Sequence, residues 1–230
     1  MALIKINDML KNYPIGRGKF TALKGIDLEF EKGEFTGIVG PSGSGKTTLL
    51  NIIGSLDVQT EGSVEVMGND IRSLSAKQSS RLRSEHIGFI FQTYNLLPVY
   101  SVFENVEFPL LLLKMPVIER RRAVLDALEW LGLTDKIKSR PSQLSGGECQ
   151  RVAIARAIVK KPDLVLADEP TANLDAENSH HILKTMKKIN EDMGTTFIFS
   201  THDAKVISYI KRKITLLDGK VFNDEIINGG

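Results

Sequence analysis

A chain of 230 residues, 42% hydrophobic and 25% charged, has the composition of a globular protein large enough to bury its own core without cross-links. The 30 Lys and Arg against 28 Asp and Glu leave a formal charge of +2, which excludes the basic excess of a dedicated nucleic-acid binder. The single cysteine, Cys149, excludes an internal disulfide framework and suits a reducing compartment.

The opening MALIKINDML places Lys5 and Asp8 where an export signal needs an unbroken apolar run, so no such signal is expected. LIKIND and ALKGIDLEFEKGEF alternate apolar and polar residues around Lys-Gly turns, as half-buried strands of an antiparallel sheet do. Residues 35–39 read as a buried strand, 40–47 as a glycine-rich loop and 48–53 as the apolar start of a helix. The run 63–67 with its Gly-Asn-Asp turn predicts a hairpin, and 87–91 another buried strand. From Thr93 to about Lys161 the texture is helical: Val117, Val124, Leu125, Leu128 and Leu131 recur at helical spacing, and Pro141 separates two helical stretches. The most apolar segment, 108–113, falls short of the roughly 20 residues a membrane-spanning helix needs. Buried strands return at 164–167, 196–199 and 214–217, with a helix over 176–192 between the first two. Strands separated by helices predict an α/β fold with a parallel sheet covered on both faces. One domain over 1–230 is expected, its core and antiparallel β-subdomain drawn from 1–92 and 162–230 and a helical subdomain from about 93–161.

Gly40, Pro41, Ser42, Gly43, Ser44, Gly45, Lys46 and Thr47 fit the phosphate-loop pattern, two glycines bracketing four residues and then Lys and Thr. Gly40, Gly43 and Gly45 let backbone N–H groups converge on one anion-binding hollow, and the helix starting near Lys46 adds its positive end. Lys46 is expected to reach the β- and γ-phosphates of a nucleotide, Thr47 to put its hydroxyl on Mg2+, and Thr48 to join the nucleotide contacts. LVLADE ends a buried strand in Asp168 and Glu169, where parallel sheets bind ligands. Asp168 suits Mg2+ coordination, and Glu169 suits a general base that polarises the attacking water.

A second glycine-rich stretch, LSGGECQR at 144–151, puts Ser145 and Glu148 at capping-box spacing ahead of Val152, Ile154 and Ile158. A cap alone does not require Gly146 and Gly147. Paired glycines at a helix start bare the backbone N–H groups to a phosphate, so this stretch reads as a second anion site.

The phosphate loop, Gln92, LSGGE, LVLADE, Ala-Asn-Leu-Asp175 and Ser-Thr-His202, in that order, resemble the nucleotide-binding subunit of an ATP-binding cassette (ABC) transporter over nearly the whole chain. The resemblance implies a P-loop NTPase with a mixed-sheet, RecA-like core, ATP and Mg2+ as cofactors, and ATPase activity. It implies a homodimer when ATP is bound, paired head to tail, with Ser145, Gly146, Gly147 and Glu148 of one cassette closing on the γ-phosphate held by the other. It also implies that His202 contacts the γ-phosphate and holds the reactive geometry with Glu169, that Gln92 touches Mg2+ and the water, that Asp175 lies between cassettes and that Tyr13 stacks on adenine. Glu148 stands where Gln is the more frequent residue.

Within the family, segments 51–71 and 87–110 are most similar to the lipoprotein-releasing and macrolide-exporting branch (LolD/MacB type), with the cell-division ATPase FtsE nearby; Val58-Gln59 departs from the Pro-containing turn common there. Integral membrane permease subunits are the implied partners, at the cytoplasmic side of the plasma membrane, with no nucleic acid. The alternatives are an ATPase that regulates a membrane-bound cell-wall enzyme without transport, and a soluble non-transport ABC ATPase. Leu96, Leu97, Val99, Tyr100 and Phe103 cluster in one apolar stretch, which is expected to offer a groove to a short cytoplasmic helix of a membrane subunit.

Overall fold

The computed structural model describes residues 2–16 and 18–227. A hairpin of β1 (Ile4–Ile15) and β2 (Gly18–Phe30) is followed by β3 (Phe35–Val39), the glycine loop, α1 (Lys46–Ile53) and a second hairpin, β4 (Glu61–Val66) and β5 (Asn69–Asp70). Next come α2 (Ala76–His86), β6 (Ile87–Ile90) and the helices α3 (Val102–Leu112), α4 (Val117–Trp130) and α5 (Gly146–Ile158). The chain closes through β7 (Leu164–Asp168), α6 (Ala176–Met193), β8 (Thr196–Thr201), α7 (Ala204–Ile207), β9 (Arg212–Leu217) and β10 (Lys220–Ile226).

The strands form two sheets, an antiparallel one ordered β2-β1-β4-β5 and a larger one ordered β10-β9-β3-β8-β7-β6. In the larger sheet the strands from β9 to β6 run parallel and β10 pairs antiparallel at the edge. Its central strands are continuous apolar runs because both faces are covered, one by α1 and the antiparallel sheet and the other by helices. Phe35 contacts Phe199 edge-on at 4.7 Å between ring centroids, across the β3–β8 pair. Two cores result. One, including Ile4, Phe30, Ile38, Leu49 and Leu166, lies between the sheets around α1; the other, including Val106, Val152, Leu183 and Phe199, lies under the helices.

Register decides where the chemistry sits. Val39 pairs with Thr201 and Asp168 with Ser200, so the C-terminal ends of β3, β7 and β8 finish side by side. A loop leaving any of them enters the same crevice.

One local reading changes, and two elements were not foreseen. Lys24-Gly25 is not a turn: β2 runs straight through it, with Gly25 at φ 67° beside register shifts against β1. The bulge keeps Leu23 and Ile26 both buried, which strict alternation would not. The helix α2 carries no apolar stripe to betray it, since Leu82 alone among its residues is buried; a capping box of Ser75 and Gln78 starts it. The edge strand β10 is held to β9 by Arg212–Asp224 and Lys213–Glu225 ion pairs, so its pattern reads as charged surface rather than strand. Among the described residues no helix is long and apolar enough to cross a membrane.

Candidate active site

The glycine loop connects the end of β3 to α1. Gly43 and Gly45 take φ of 79° and 103°, a region that side chains resist, and Gly45 is the N-cap of α1 with no side-chain cap beside it. Gly40 is a glycine for a different reason: a Cβ there would lie 2.1 Å from Leu216 O. The loop therefore packs against the β9–β10 turn, where Gly219 N–H donates to Ser44 O at 3.1 Å. Lys46 is buried and its ammonium donates to Gly40 O at 2.8 Å and Pro41 O at 2.9 Å, closing the loop around the start of α1. Ser44 Oγ is buried with no hydrogen-bond partner among the described residues.

Thr47 Oγ1, one residue into α1, donates to Asp168 Oδ2 at 3.0 Å. This pair suits Mg2+: a hydroxyl and a carboxylate, both hard oxygen donors, stand together and would hold the ion beside the glycine loop. Among the described residues no group of three or more His, Cys, Asp or Glu forms a cage made of protein alone. Glu169 follows Asp168 but turns away from it, because it takes φ 47°, a strained choice for a residue with a side chain that costs roughly 1 to 3 kcal/mol. Its N–H donates to Ser200 O at 2.9 Å, fixing the turn to β8. The carboxylate lies 2.7 Å from His202 Nδ1 through Oε1 and 3.4 Å from Thr201 Oγ1 through Oε2. Nδ1 faces the carboxylate, so Nε2 is the ring nitrogen left for another partner. Glu169 is 14% exposed and His202 64%, so the ring forms the solvent side of the pair.

The start of α5 is built differently. Ser145 Oγ accepts Glu148 N–H at 3.2 Å and Glu148 Oε2 accepts Ser145 N–H at 2.7 Å, a complete capping box. Glu148 thus faces back into its own helix, and its other oxygen meets Lys136 Nζ at 3.2 Å. The Ser145 N–H bond is the main reason its carboxyl sits below the usual carboxylate range. Gly147 is glycine partly for packing: a Cβ would lie 2.7 Å from Asn178 Oδ1. Asn178 is in turn held by Asp175, whose Oδ1 accepts Asn178 N–H at 2.8 Å and Oδ2 accepts Nδ2 at 2.7 Å. Asp175 is the N-cap of α6, and both its carboxylate oxygens are taken up in that role. Cys149 is packed, with Sγ 3.7 Å from Pro141 O and its thiol pushed up by burial.

No hydrogen bond or ion pair among the described residues joins Ser145, Gly146, Gly147, Glu148 or Asp175 to the glycine loop, Asp168, Glu169 or His202. What links the two regions is the chain after β6. Gln92 is exposed and its backbone carbonyl accepts Asn173 Nδ2 at 2.8 Å, while Arg156 of α5 donates to Tyr94 O at 2.6 Å and to Asn95 O.

Comparison with known proteins agrees with these parts. The ABC transporter family profile matches residues 23–172. The chain belongs to the ABC transporter family. Over 99% of its length the cassette is 42% identical to an uncharacterized ABC transporter ATP-binding protein of Methanocaldococcus jannaschii, MJ0796, covering 98% of that protein. The dimeric post-hydrolysis structure of MJ0796 bound to ADP and Pi superposes with a TM-score of 0.91 at 41% identity, over 99% of this chain and 100% of that one. The macrolide export ATP-binding/permease protein MacB of Rhodopseudomonas palustris is 45% identical over 97% of the cassette, which spans only 34% of that longer relative. The cassette is accordingly an ATPase with the ABC fold.

The contacts around Tyr13 were invisible in the sequence. Tyr13 on β1 donates its hydroxyl to Asp57 Oδ2 at 2.8 Å, and Lys11 Nζ reaches Asp57 Oδ1 at 2.5 Å while lying 4.8 Å from the Tyr13 ring centroid. Burial, then the Asp57 bond, pushes the phenol pKa up. Asp57 was missed because its partners are 44 and 46 residues away.

Proposed function

We propose that this chain is the ATP-hydrolysing subunit of an ABC transporter, pairing head to tail with a second cassette around two ATP and driving a membrane partner of the lipoprotein-releasing or macrolide-exporting kind. The observation that carries the reading is the division of the site: the loop, Thr47–Asp168 and Glu169–His202 cluster at one sheet end, while the Ser145–Gly147 helix start is separate from them. In this reading Lys46 and the loop N–H groups hold the β- and γ-phosphates, and the orphaned Ser44 Oγ finds an acceptor there. Thr47 and Asp168 hold Mg2+, which would offset phosphate charge when bound. Glu169 polarises the attacking water, with His202 steadying its carboxylate and facing the γ-phosphate through Nε2. Gln92, exposed beside Asn173, reaches the metal and water on closure; Ser145, Gly146 and Gly147 serve the partner's γ-phosphate, and Asp175 shapes α6 at the interface. The domain boundaries at 92 and 162 then mark where a helical lobe carries α5 toward that partner.

The membrane contact is supported by a mainly apolar cavity of about 360 Å3 beside the chain that follows β6, whose lining includes Phe89, Phe91, Phe108 and Leu112 together with Arg83, Arg156 and Lys160. Phe108 is 38% and Leu112 61% exposed. Of the stretch expected to offer a groove, Val99 and Tyr100 are 70% and 40% exposed, while Leu96 and Phe103 pack partly against the core. A short helix from a cytoplasmic loop of a permease fits such a groove, and MacB carries ATP-binding and permease parts in one chain.

The experiment is Glu169→Gln with ATP and Mg2+. Hydrolysis should fall by about 10²- to 10⁴-fold while ATP still binds, and light scattering should show the mass double. Hydrolysis at the parent rate would remove Glu169 as the base; a monomer with ATP bound would remove the pairing. Phe108→Ser with Leu112→Ser should lose the co-purifying membrane protein and keep basal ATPase activity.

A further inference from the structure

Lys136 belongs to none of the motifs. It ends the short turn Thr134–Lys136 between α4 and α5, and its ammonium meets Glu148 Oε1 at 3.2 Å, with Asp135 Oδ2 at 3.7 Å. The turn itself is held by backbone: Ser139 N–H donates to Lys136 O at 2.8 Å, and Val102 N–H of α3 donates to Ser139 O at 2.8 Å. These backbone bonds do not involve the Lys136 side chain, which reaches across to α5.

Glu148 brings a full negative charge into the first turn of α5. A carboxylate there is good for the isolated helix, because it satisfies the positive end. For a helix start that must accept a triphosphate it is a liability, since it occupies Ser145 N–H and repels the incoming phosphates. Gln at this position would keep the cap without the charge. Lys136 supplies the missing balance, and the pair is partly shielded, with side chains 33% and 18% exposed.

We propose that Lys136 is a positioning residue for the shared site, neutralising Glu148 so that the start of α5 can receive the triphosphate held by a second cassette. The inference rests on the reading that Ser145 and Gly147 face a partner's γ-phosphate. Hydrogen bonding and attraction from Glu148 hold the ammonium above the usual lysine range, so it stays charged at neutral pH.

The test is steady-state ATPase activity of the full chain against ATP concentration, with Mg2+, for Lys136→Met, Glu148→Gln and the double variant. Lys136→Met should raise the half-saturating ATP concentration about tenfold at low salt, and the deficit should shrink as salt approaches ~0.5 M. With Glu148→Gln in the same chain, Lys136→Met should change it less than about twofold, because no charge remains to balance. No effect of Lys136→Met, or a double variant as weak as Lys136→Met alone, would overturn the proposal; a folding defect would give the second result and is separated by thermal unfolding. Ser145→Arg distinguishes the two levels. If it leaves activity intact, the phosphate-facing reading fails and takes this inference with it; if it abolishes activity while Lys136→Met does nothing, only the inference fails.

Discussion

Two helix starts in this molecule are flanked by glycine, and they are finished in opposite ways. At α1 the N-cap is Gly45, with no side-chain cap and no acidic residue in the first turn. At α5 the N-cap is Ser145, the capping box is complete, and Glu148 sits in the first turn with Lys136 against it. An uncapped start leaves its orphan N–H groups to whatever anion arrives, so α1 is committed to a ligand. The box at α5 satisfies the Ser145 and Glu148 N–H groups and leaves those of Gly146 and Gly147, so α5 is the better closed start and, in the proposed pairing, meets a phosphate that a second body brings. The same motif chemistry thus makes a resident site in one place and a conditional one in the other.

The largest expected effect tests the committed start. Lys46→Ala should lower ATP hydrolysis by about 10²- to 10³-fold and weaken binding of a fluorescent ATP analogue in parallel; retained binding would mean that α1 and its loop suffice without the ammonium. Next come the glycines themselves. In Gly45→Ala the new Cβ meets Ala22 O at 2.8 Å at φ 103°, with backbone that does not yield, so thermal unfolding should show a loss of roughly 1 to 3 kcal/mol that no side-chain change relieves. Gly147→Ala meets only the end of Asn178, so its cost of about 1 kcal/mol, that of disturbing the Asp175 cap, should be largely removed by Asn178→Ala in the same chain. Equal and unrelieved losses at both glycines would erase the contrast. The smallest effect concerns Tyr13: Tyr13→Ala should raise the half-saturating ATP concentration by about three- to tenfold, in line with one lost aromatic contact, and Tyr13→Phe by less.

How much of this could be read from the residues follows the distance between interacting groups along the chain. The strand, glycine loop and α1 were readable because Phe35 to Ile53 are consecutive and each type of residue has a local reason. The α4 and α6 spans were readable from apolar spacing, whereas α2 was not, because it buries one side chain and offers no period. Within the candidate site, the Ser145–Glu148 box is a spacing rule and could be anticipated. The bond from Asn173 to the Gln92 carbonyl spans 81 residues, and the Glu148–Lys136 and Tyr13–Asp57 contacts likewise depend on how separate elements fold together. Asp175 shows a second duty that its motif did not announce: it is the N-cap of α6, with both carboxylate oxygens bonded to Asn178.

The most direct test is a crystal structure of the Glu169→Gln variant with ATP and Mg2+. The account predicts two chains, with Ser145 Oγ and Gly147 N of one within hydrogen-bond distance of the γ-phosphate whose β-phosphate lies in the Gly40–Thr47 loop of the other. A single chain whose own Ser145 reaches its own nucleotide, or a pair in which neither Ser145 approaches a phosphate, would contradict it.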